Sequence, residues 1–126
     1  MENPINVLVV IDQTIERKGL SHLLNALPSI TVIGEAADVY EAERMAYESC
    51  PDVILVNQEL FQNGGLFHLW RICQGNPGTR ILVLSDSSGD QSAASDYELD
   101  DLCFVKKNAA PEELTQIIQE VIKREE

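Results

Sequence analysis

The 126-residue sequence contains no apolar run near the roughly 20 residues that a membrane-spanning helix requires. Residues 1–4 (MENP) lack the basic and apolar regions that begin a secretory signal peptide. Positive charge is also scarce, because 9 Lys and Arg residues oppose 21 Asp and Glu residues, for a net charge of -12. That balance opposes binding to nucleic acid and to anionic membranes. We therefore expect a cytoplasmic domain with no membrane contact and no direct nucleic-acid binding.

Cysteine and histidine are too few and too scattered to indicate a metal centre. The three cysteines, Cys50, Cys73 and Cys103, show no CxxC spacing, and each lies in or beside an apolar segment. We expect them to be buried free thiols in a reducing compartment. His22 and His68 lie on predicted helices, far apart in the sequence, where surface or packing roles are expected. The pattern predicts neither a zinc site nor a redox site.

Short continuous apolar runs punctuate the chain. Residues 7–11, 53–56 and 81–84 show no polar alternation, as expected of strands that are buried on both faces of a parallel sheet. Residues 30–33 and 102–105 are weaker strand candidates. The five runs alternate with helical segments. This order predicts a doubly wound α/β fold with a five-stranded parallel sheet in the flavodoxin-like order 2-1-3-4-5.

Four of the five predicted helices carry an apolar stripe at helical spacing. The inward residues are predicted to be Leu20, Leu23, Leu24 and Leu27 in the first helix, Val39, Ala42, Met45 and Ala46 in the second, Leu66, Leu69, Trp70 and Cys73 in the third, and Leu114, Ile117, Ile118, Val121 and Ile122 in the fifth. The fourth, residues 91–99, has few large apolar side chains, so we expect a short, frayed or displaced helix. No linker or repeat divides the chain, which predicts one domain over residues 1–126.

Ligands of doubly wound sheets bind at the carboxyl ends of the strands. That edge is predicted to contain Ile11, Asp12, Gln13, Asn57, Gln58, Ser85, Asp86, Lys106 and Lys107. Neither a glycine-rich phosphate loop nor a catalytic triad accompanies them. The residues alone therefore favour a binding or signalling domain over an enzyme.

Several segments together resemble the receiver domain of two-component response regulators, which has the CheY-like fold, and within that family the NarL/LuxR-type regulators. The matching segments are VLVVID at 7–12, RKGL at 17–20, VIGEAAD at 32–38, PDVILV at 51–56 and KNAAPEEL at 107–114. No single segment is decisive, but their order and spacing cover nearly the full length. The resemblance implies a signal-transduction domain, the regulatory part of a transcription regulator.

In this family a phosphorylation site is built from two acidic residues, a phospho-accepting aspartate, a Ser or Thr, and a Lys. The resemblance places the acidic pair at Ile11 and Asp12, the acceptor at Asn57, the hydroxyl at Ser85 and the lysine at Lys107. In the family, the three carboxylates hold Mg²⁺. Here Asp12 alone is expected to supply formal negative charge, as a weak remnant of that metal site. Asp12 has an alternative role as ion-pair partner of Lys107, and Ser85 as a hydroxyl that bonds local backbone.

An asparagine cannot replace the acceptor aspartate. Its amide oxygen carries no full charge, so it is a poor nucleophile and a weak ligand for Mg²⁺. We therefore expect no cofactor and no Mg²⁺ binding at Asn57. The sequence predicts a degenerate receiver, or pseudo-receiver, that acts independently of aspartyl phosphorylation.

Two further segments depart from the family pattern. Residues 60–65 replace a Met-Pro-Gly type turn and keep only the last glycine, and residues 100–103 replace a Gly-Ala-x-Gly tract. Phe104 corresponds to an aromatic residue of the fifth strand that changes rotamer in working receivers. Without phosphorylation, we expect Phe104 to hold a fixed interface position.

The resemblance favours a protein partner or a homodimer. Contact is expected through the first and fifth helices, or through the face formed by the fourth helix, fifth strand and fifth helix. The acidic residues Asp96, Glu98, Asp100 and Asp101 form either a solvated face or a docking surface for a basic partner. Two alternatives stay open: a working phospho-receiver with an altered site, and a small-molecule sensor.

Overall fold

A five-stranded parallel sheet forms the centre of the molecule. The computed structural model of the chain describes residues 4–85, 102–106 and 109–123. The strands are β1 Ile5–Val10, β2 Ile30–Ala36, β3 Val53–Asn57, β4 Arg80–Ser85 and β5 Leu102–Lys106. All neighbours are parallel, in the order β2-β1-β3-β4-β5. The predicted doubly wound sheet and its strand order are confirmed.

Helices cover both faces of this sheet. They are α1 Thr14–Asn25, α2 Val39–Ser49, a composite α3 and a final helix Pro111–Lys123. α3 joins an α-helical turn Gln58–Leu60, a π-helical turn Phe61–Gly65 and the α-helix Leu66–Gly75. One core cluster packs α2 and α3 against the sheet, and a second packs α1 and the final helix against the opposite face. None of the described helices has both the length and the apolar content needed to cross a membrane.

The helix faces follow most of the predicted stripes. Val39, Ala42 and Ala46 are buried in α2, and Leu114, Ile118 and Val121 are buried in the final helix. The prediction is wrong for Leu23, which is 48% exposed because it lies at the edge of a stripe centred on Leu24. It is also wrong for Trp70. Ile72 takes the buried place in α3, and Trp70 stacks on Phe67 with 6.2 Å between ring centroids. The predicted fourth helix, residues 91–99, lies outside the described residues.

α2 has a defined residue at each end. At its start, Asp38 Oδ1 accepts a 2.8 Å hydrogen bond from the backbone N–H of Glu41, which caps the helix. At its end, Cys50 has φ 47° and ψ 65°, a left-handed conformation that glycine adopts more easily. Cys50 is exposed, so the prediction of three buried thiols is wrong there; Cys73 and Cys103 are partly buried, and all three are free.

The substitution Cys50→Gly should raise the free energy of unfolding by about 0.5–1 kcal/mol. The left-handed conformation costs a residue with a Cβ roughly 1–2 kcal/mol, and the greater freedom of glycine in the unfolded chain offsets part of that gain. Urea unfolding followed by circular dichroism measures the change. Ser49→Gly is the matched control, because Ser49 is the last helical residue and should lose stability on the same substitution. A loss of stability in both variants would contradict the argument.

Candidate functional site at the carboxyl edge of the sheet

Asn57, the last residue of β3, lies at the centre of the edge. Its side chain is almost fully buried, with 2% exposure. The amide nitrogen Nδ2 donates 2.9 Å hydrogen bonds to Asp12 Oδ1 and to Glu59 Oε2. The amide oxygen Oδ1 is buried and has no hydrogen-bond partner within the described residues. One nitrogen therefore links two carboxylates that would repel each other without it.

Ile11 and Asp12, at the two positions of the family's acidic pair, lie in different environments. Ile11 is completely buried and belongs to the core cluster beneath α1, together with Leu24. Its backbone oxygen accepts a 2.8 Å hydrogen bond from Arg17 Nη1. Asp12 is exposed and reaches Asn57. The position of the first acidic residue therefore contributes core packing, and only Asp12 of the pair offers a carboxylate to the edge.

Glu59 is a site residue that the sequence reasoning missed. It lies two residues after Asn57, in the first turn of α3, and its carboxylate accepts from the same nitrogen as Asp12. The expectation that Asp12 alone supplies negative charge to this cluster is wrong. The signal was an acidic residue just beyond the strand end. This acidic residue indicates a site residue only when a helix, and not a turn, is known to start at Gln58.

The predicted hydroxyl position has a side-chain partner. Ser85 ends β4, is fully buried and donates a 2.9 Å hydrogen bond from Oγ to Gln58 Oε1. Lys106 ends β5, in register with Ser85, and is exposed. Asp86 and Lys107 lie outside the described residues, so the pairing of Asp12 with Lys107 stays a prediction.

A helix, not a turn, follows Asn57. The sequence places a turn at residues 60–65, but this segment is a π-helical turn that runs directly into the rest of α3. Gly64 has φ +84°, and a Cβ on Gly65 would overlap the carbonyl oxygen of Leu60. Two consecutive glycines therefore allow the close backbone approach within this π-helical turn, which follows Gln58 and Glu59 at the strand ends.

Phe104 of β5 packs beneath the same π-helical turn. It is partly buried, and its ring meets that of Phe61 edge to face, with 5.7 Å between centroids and 89° between planes. Phe61 is itself only 4% exposed. The contact ties the fifth strand to α3, and the fixed interface position of Phe104 stays a prediction.

The residues at this edge do not fit Mg²⁺ as the family's phosphorylation site does. An amide N–H, which is a donor, faces the two carboxylates where a cation would require an oxygen ligand. Ile11 offers no ligand. In residues 4–85, 102–106 and 109–123, no group of three or more His, Cys, Asp or Glu side chains could hold a metal ion. We call the hydrogen-bonded set Asp12, Asn57, Gln58, Glu59 and Ser85 the edge cluster.

Known proteins share this sequence pattern and fold. The profile of the response regulator receiver domain matches residues 7–119. The chain belongs to the response regulator receiver family. This receiver domain is 33% identical over 121 residues to the transcriptional regulatory protein LiaR of Bacillus subtilis, an alignment that covers 96% of the domain and 57% of LiaR. The chain thus spans about half the length of the curated relatives that it matches.

Solved structures support the same assignment. A LuxR-family two-component response regulator from Aurantimonas sp. SI85-9A1 superimposes with a TM-score of 0.81 at 30% identity, over 97% of this domain and 87% of that chain. The signal receiver domain of NarL from Mycobacterium tuberculosis superimposes with a TM-score of 0.78 over 97% and 98% of the two chains. Its identity is 23%, so it bears on the fold alone. This receiver domain therefore has NarL/LuxR-type relatives.

Proposed function

We propose that this receiver domain is a pseudo-receiver, a signalling module that acts by dimerising or by binding a protein partner, independently of aspartyl phosphorylation. It is the regulatory part of a cytoplasmic NarL/LuxR-type transcription regulator, forms one domain over residues 1–126, and is not an enzyme. It requires no Mg²⁺ and does not itself bind nucleic acid. The observation that carries the proposal is the double hydrogen bond from Asn57 Nδ2 to Asp12 and Glu59.

This hydrogen bonding supports a site that is closed to phosphoryl transfer. A receiver needs a carboxylate nucleophile at the end of β3, and an amide at that place is uncharged and faces its neighbours as a donor. A hydrogen bond to a charged group contributes about 1.5–3 kcal/mol. Rotating Asn57 to present its oxygen would break two such bonds and turn an oxygen toward two carboxylates.

The other two residues of the edge cluster, Ser85 and Gln58, are also hydrogen-bonded to each other. Ser85 donates its hydroxyl to Gln58, a residue of the same α3 turn that carries Glu59. Both strand ends are thereby joined to the start of one helix. We infer that the cluster holds a single conformation in place of the two that phosphorylation selects in a working receiver.

An exposed apolar surface on α1 supports the proposal of a protein partner there. Ile15 is 90% exposed and Leu23 is 48% exposed. Both side chains are available to a partner, and they lie eight residues apart on the helix. The other proposed face involves residues 91–99, which lie outside the described residues.

The altered-site alternative has one observation in its favour. Glu59 brings a second carboxylate to the cluster, so the negative charge near Asp12 is greater than the sequence suggests. In that case the domain would bind Mg²⁺ and accept a phosphoryl group at an unidentified acceptor. The two proposals predict opposite responses to a phosphoryl mimic.

The test is a backbone amide NMR titration with Mg²⁺ and then beryllofluoride. We expect no saturable shifts at Asp12, Asn57 or Ser85, because the carboxylates already share an N–H donor. Intact mass after incubation with acetyl phosphate should show no phosphorylated species. The control is the variant Asn57→Asp, which restores the acceptor carboxylate and should respond to both, while the buried Ile11 is left unchanged. Saturable shifts in the unmodified domain that extend to Phe104 would favour the altered-site receiver.

A further inference from the structure

α2 has a second stripe of large side chains on its outer side. Tyr40, Arg44, Tyr47 and Glu48 are spaced i, i+4, i+7 and i+8, so they share one face. Tyr40 is 72% exposed and Tyr47 is 83% exposed. A solvent-facing helix stripe is ordinarily polar, whereas Tyr and Arg are enriched at the centres of protein interfaces.

This stripe forms one wall of a groove whose other wall is α3. The groove has a volume of about 430 Å³ and is lined by Tyr40, Glu43, Arg44, Tyr47, Glu48, His68 and Arg71. The ring of His68 meets that of Tyr40 at 4.5 Å between centroids. Phe67, at the rim, is 44% exposed. We call this surface the α2–α3 groove.

Hydrogen bonds and ring contacts fix the walls. Glu43 binds both His68 Nδ1, at 2.8 Å, and Arg71 Nη2, at 3.2 Å. The guanidinium of Arg71 also lies over the ring of Phe67, 5.8 Å from its centroid. These contacts join α2 to α3, so the aromatic side chains are presented on a preformed surface.

Arg44 and Glu48 differ from those residues because each is exposed and makes no ion pair or hydrogen bond within the described parts of the chain. Their i, i+4 spacing would permit a pair with each other. Two opposite charges therefore stand unpaired on either side of Tyr47. In an antiparallel arrangement of two α2 helices about a two-fold axis, Arg44 of each copy faces Glu48 of the other, which is a self-complementary pattern.

The charge of the whole chain also favours a second copy of the same chain as the partner at this groove. At a net charge of -12, two copies repel each other over most of their surfaces. The α2–α3 groove is balanced, because Arg44 and Arg71 oppose Glu43 and Glu48. At about 150–250 Å² per aromatic side chain, the exposed parts of Tyr40, Tyr47 and Phe67 in two copies supply on the order of 800 Å² of contact. A specific interface needs roughly 1,000 Å² in total, and the arginines contribute the rest.

We propose that the α2–α3 groove is the contact face of a symmetric homodimer of this chain. Tyr47 of each copy lies near the two-fold axis, and Arg44 pairs with Glu48 of the other copy on both sides of it. The inference deepens the proposed interaction role and names a face that differs from those on α1 and the final helix. The dimer proposal holds whether or not another residue of the domain accepts a phosphoryl group in place of Asn57.

Sedimentation equilibrium of the whole 126-residue chain, without Mg²⁺ or phosphoryl donor, tests the proposal. We expect a reversible dimer with a dissociation constant of about 10–100 µM, since interfaces near the lower size limit are weak. Arg44→Glu should weaken it at least about tenfold, because two pairs per dimer become repulsive. The charge swap Arg44→Glu with Glu48→Arg should restore the dissociation constant to within about threefold, because both pairs re-form in reverse.

Two further variants keep the outcome decisive. Tyr47→Ser removes the central ring and should also weaken the dimer at least about tenfold. Ile15→Ser discriminates between the two candidate faces: it weakens the dimer if α1 is the contact face and leaves the dissociation constant unchanged if the α2–α3 groove is. A chain that stays monomeric at about 1 mM would overturn the proposal. So would a dimer that tolerates Arg44→Glu, or one that only Ile15→Ser weakens. The beryllofluoride titration fails or succeeds separately, so the two proposals are distinguishable.

Discussion

Gly65→Ala should lower the free energy of unfolding by about 3 kcal/mol, the range in which backbone strain places a severe substitution. A Cβ on Gly65 would overlap the carbonyl oxygen of Leu60 and would lie 3.1 Å from Val39 Cγ1. A carbonyl within a helical turn cannot move aside as a flexible side chain can. Urea unfolding followed by circular dichroism measures the loss.

Gly19→Ala is the matched control for this substitution. Gly19 lies within α1, and no atom is within 4 Å of the position of an added Cβ. Alanine there should raise stability by about 0.5–1 kcal/mol, because glycine is a poor helix residue. If Gly65→Ala were as stable as the unmodified domain, the π-helical turn would not depend on the missing side chain.

The same substitution should alter the edge cluster at a distance. Gln58 and Glu59 reach the strand ends only because α3 begins immediately after Asn57. If the π-helical turn widens to admit a Cβ, these residues move first. We therefore expect the side-chain amide signals of Asn57 to shift in Gly65→Ala and to stay unchanged in Gly19→Ala.

The sheet could be predicted from the sequence because its strands carry a strong local signal. Residues 7–11, 53–56 and 81–84 are apolar without interruption, and only a doubly covered sheet buries such runs. The same logic placed Asp12, Asn57 and Ser85 at one edge, since parallel strands end on the same side. What the pattern could not give was which side chains meet there.

Those contacts depend on the conformation of a few residues between elements. Glu59 and Gln58 join the edge cluster because a helix begins where a turn is expected, and no periodic apolar pattern marks that start or the π-helical turn after it. The outer stripe of α2 escaped prediction for a related reason. Tyr40 and Tyr47 are exposed because none of the described helices and strands covers that side of α2, and such coverage is decided by the packing of distant segments.

Asn57→Asp should lower the free energy of unfolding by about 2–4 kcal/mol at neutral pH and low ionic strength. The substitution removes both N–H donors that link Asp12 to Glu59. Hydrogen bonds to charged groups contribute about 1.5–3 kcal/mol each, and the exposure of both carboxylates to solvent reduces their sum to the expected range. It also places a third negative charge beside the two carboxylates. Urea unfolding across a salt series measures the effect, and the loss should decrease as salt rises, because part of it is charge repulsion.

The pH dependence of this variant has a defined sign. Neighbouring negative charges raise the folded-state pKa of the carboxyl introduced by Asn57→Asp above its value in the unfolded chain. The folded state then binds more protons than the unfolded state, so stability falls as pH rises through the raised pKa. The loss is therefore full at neutral pH and is relieved as pH falls toward about 4, the ordinary pKa of an aspartate. The unmodified domain has no carboxyl at position 57, so its free energy of unfolding lacks this pH-dependent contribution.

A double-mutant cycle with Glu59→Gln separates repulsion from the lost hydrogen bonds. In the Asn57→Asp background, Glu59→Gln should restore about 1 kcal/mol or more, since it removes one repelling charge and supplies an amide donor. In the unmodified domain the same change should be destabilising, because it removes a carboxylate acceptor. Equal effects in both backgrounds would show that Asn57 and Glu59 do not interact.

The response to Mg²⁺ should separate the unmodified domain from the Asn57→Asp variant most clearly. With three carboxylates together, the Asn57→Asp variant should gain stability from the cation, by about 2.7 kcal/mol when Mg²⁺ is present at a hundred times its dissociation constant. The unmodified domain should gain nothing, since an N–H occupies the space between Asp12 and Glu59. A cation-dependent rise in its stability would mean that Asn57 rotates to offer its oxygen. Asn57 thus holds Asp12 and Glu59 together, as a bound cation would. Unlike an aspartate, it provides no nucleophile.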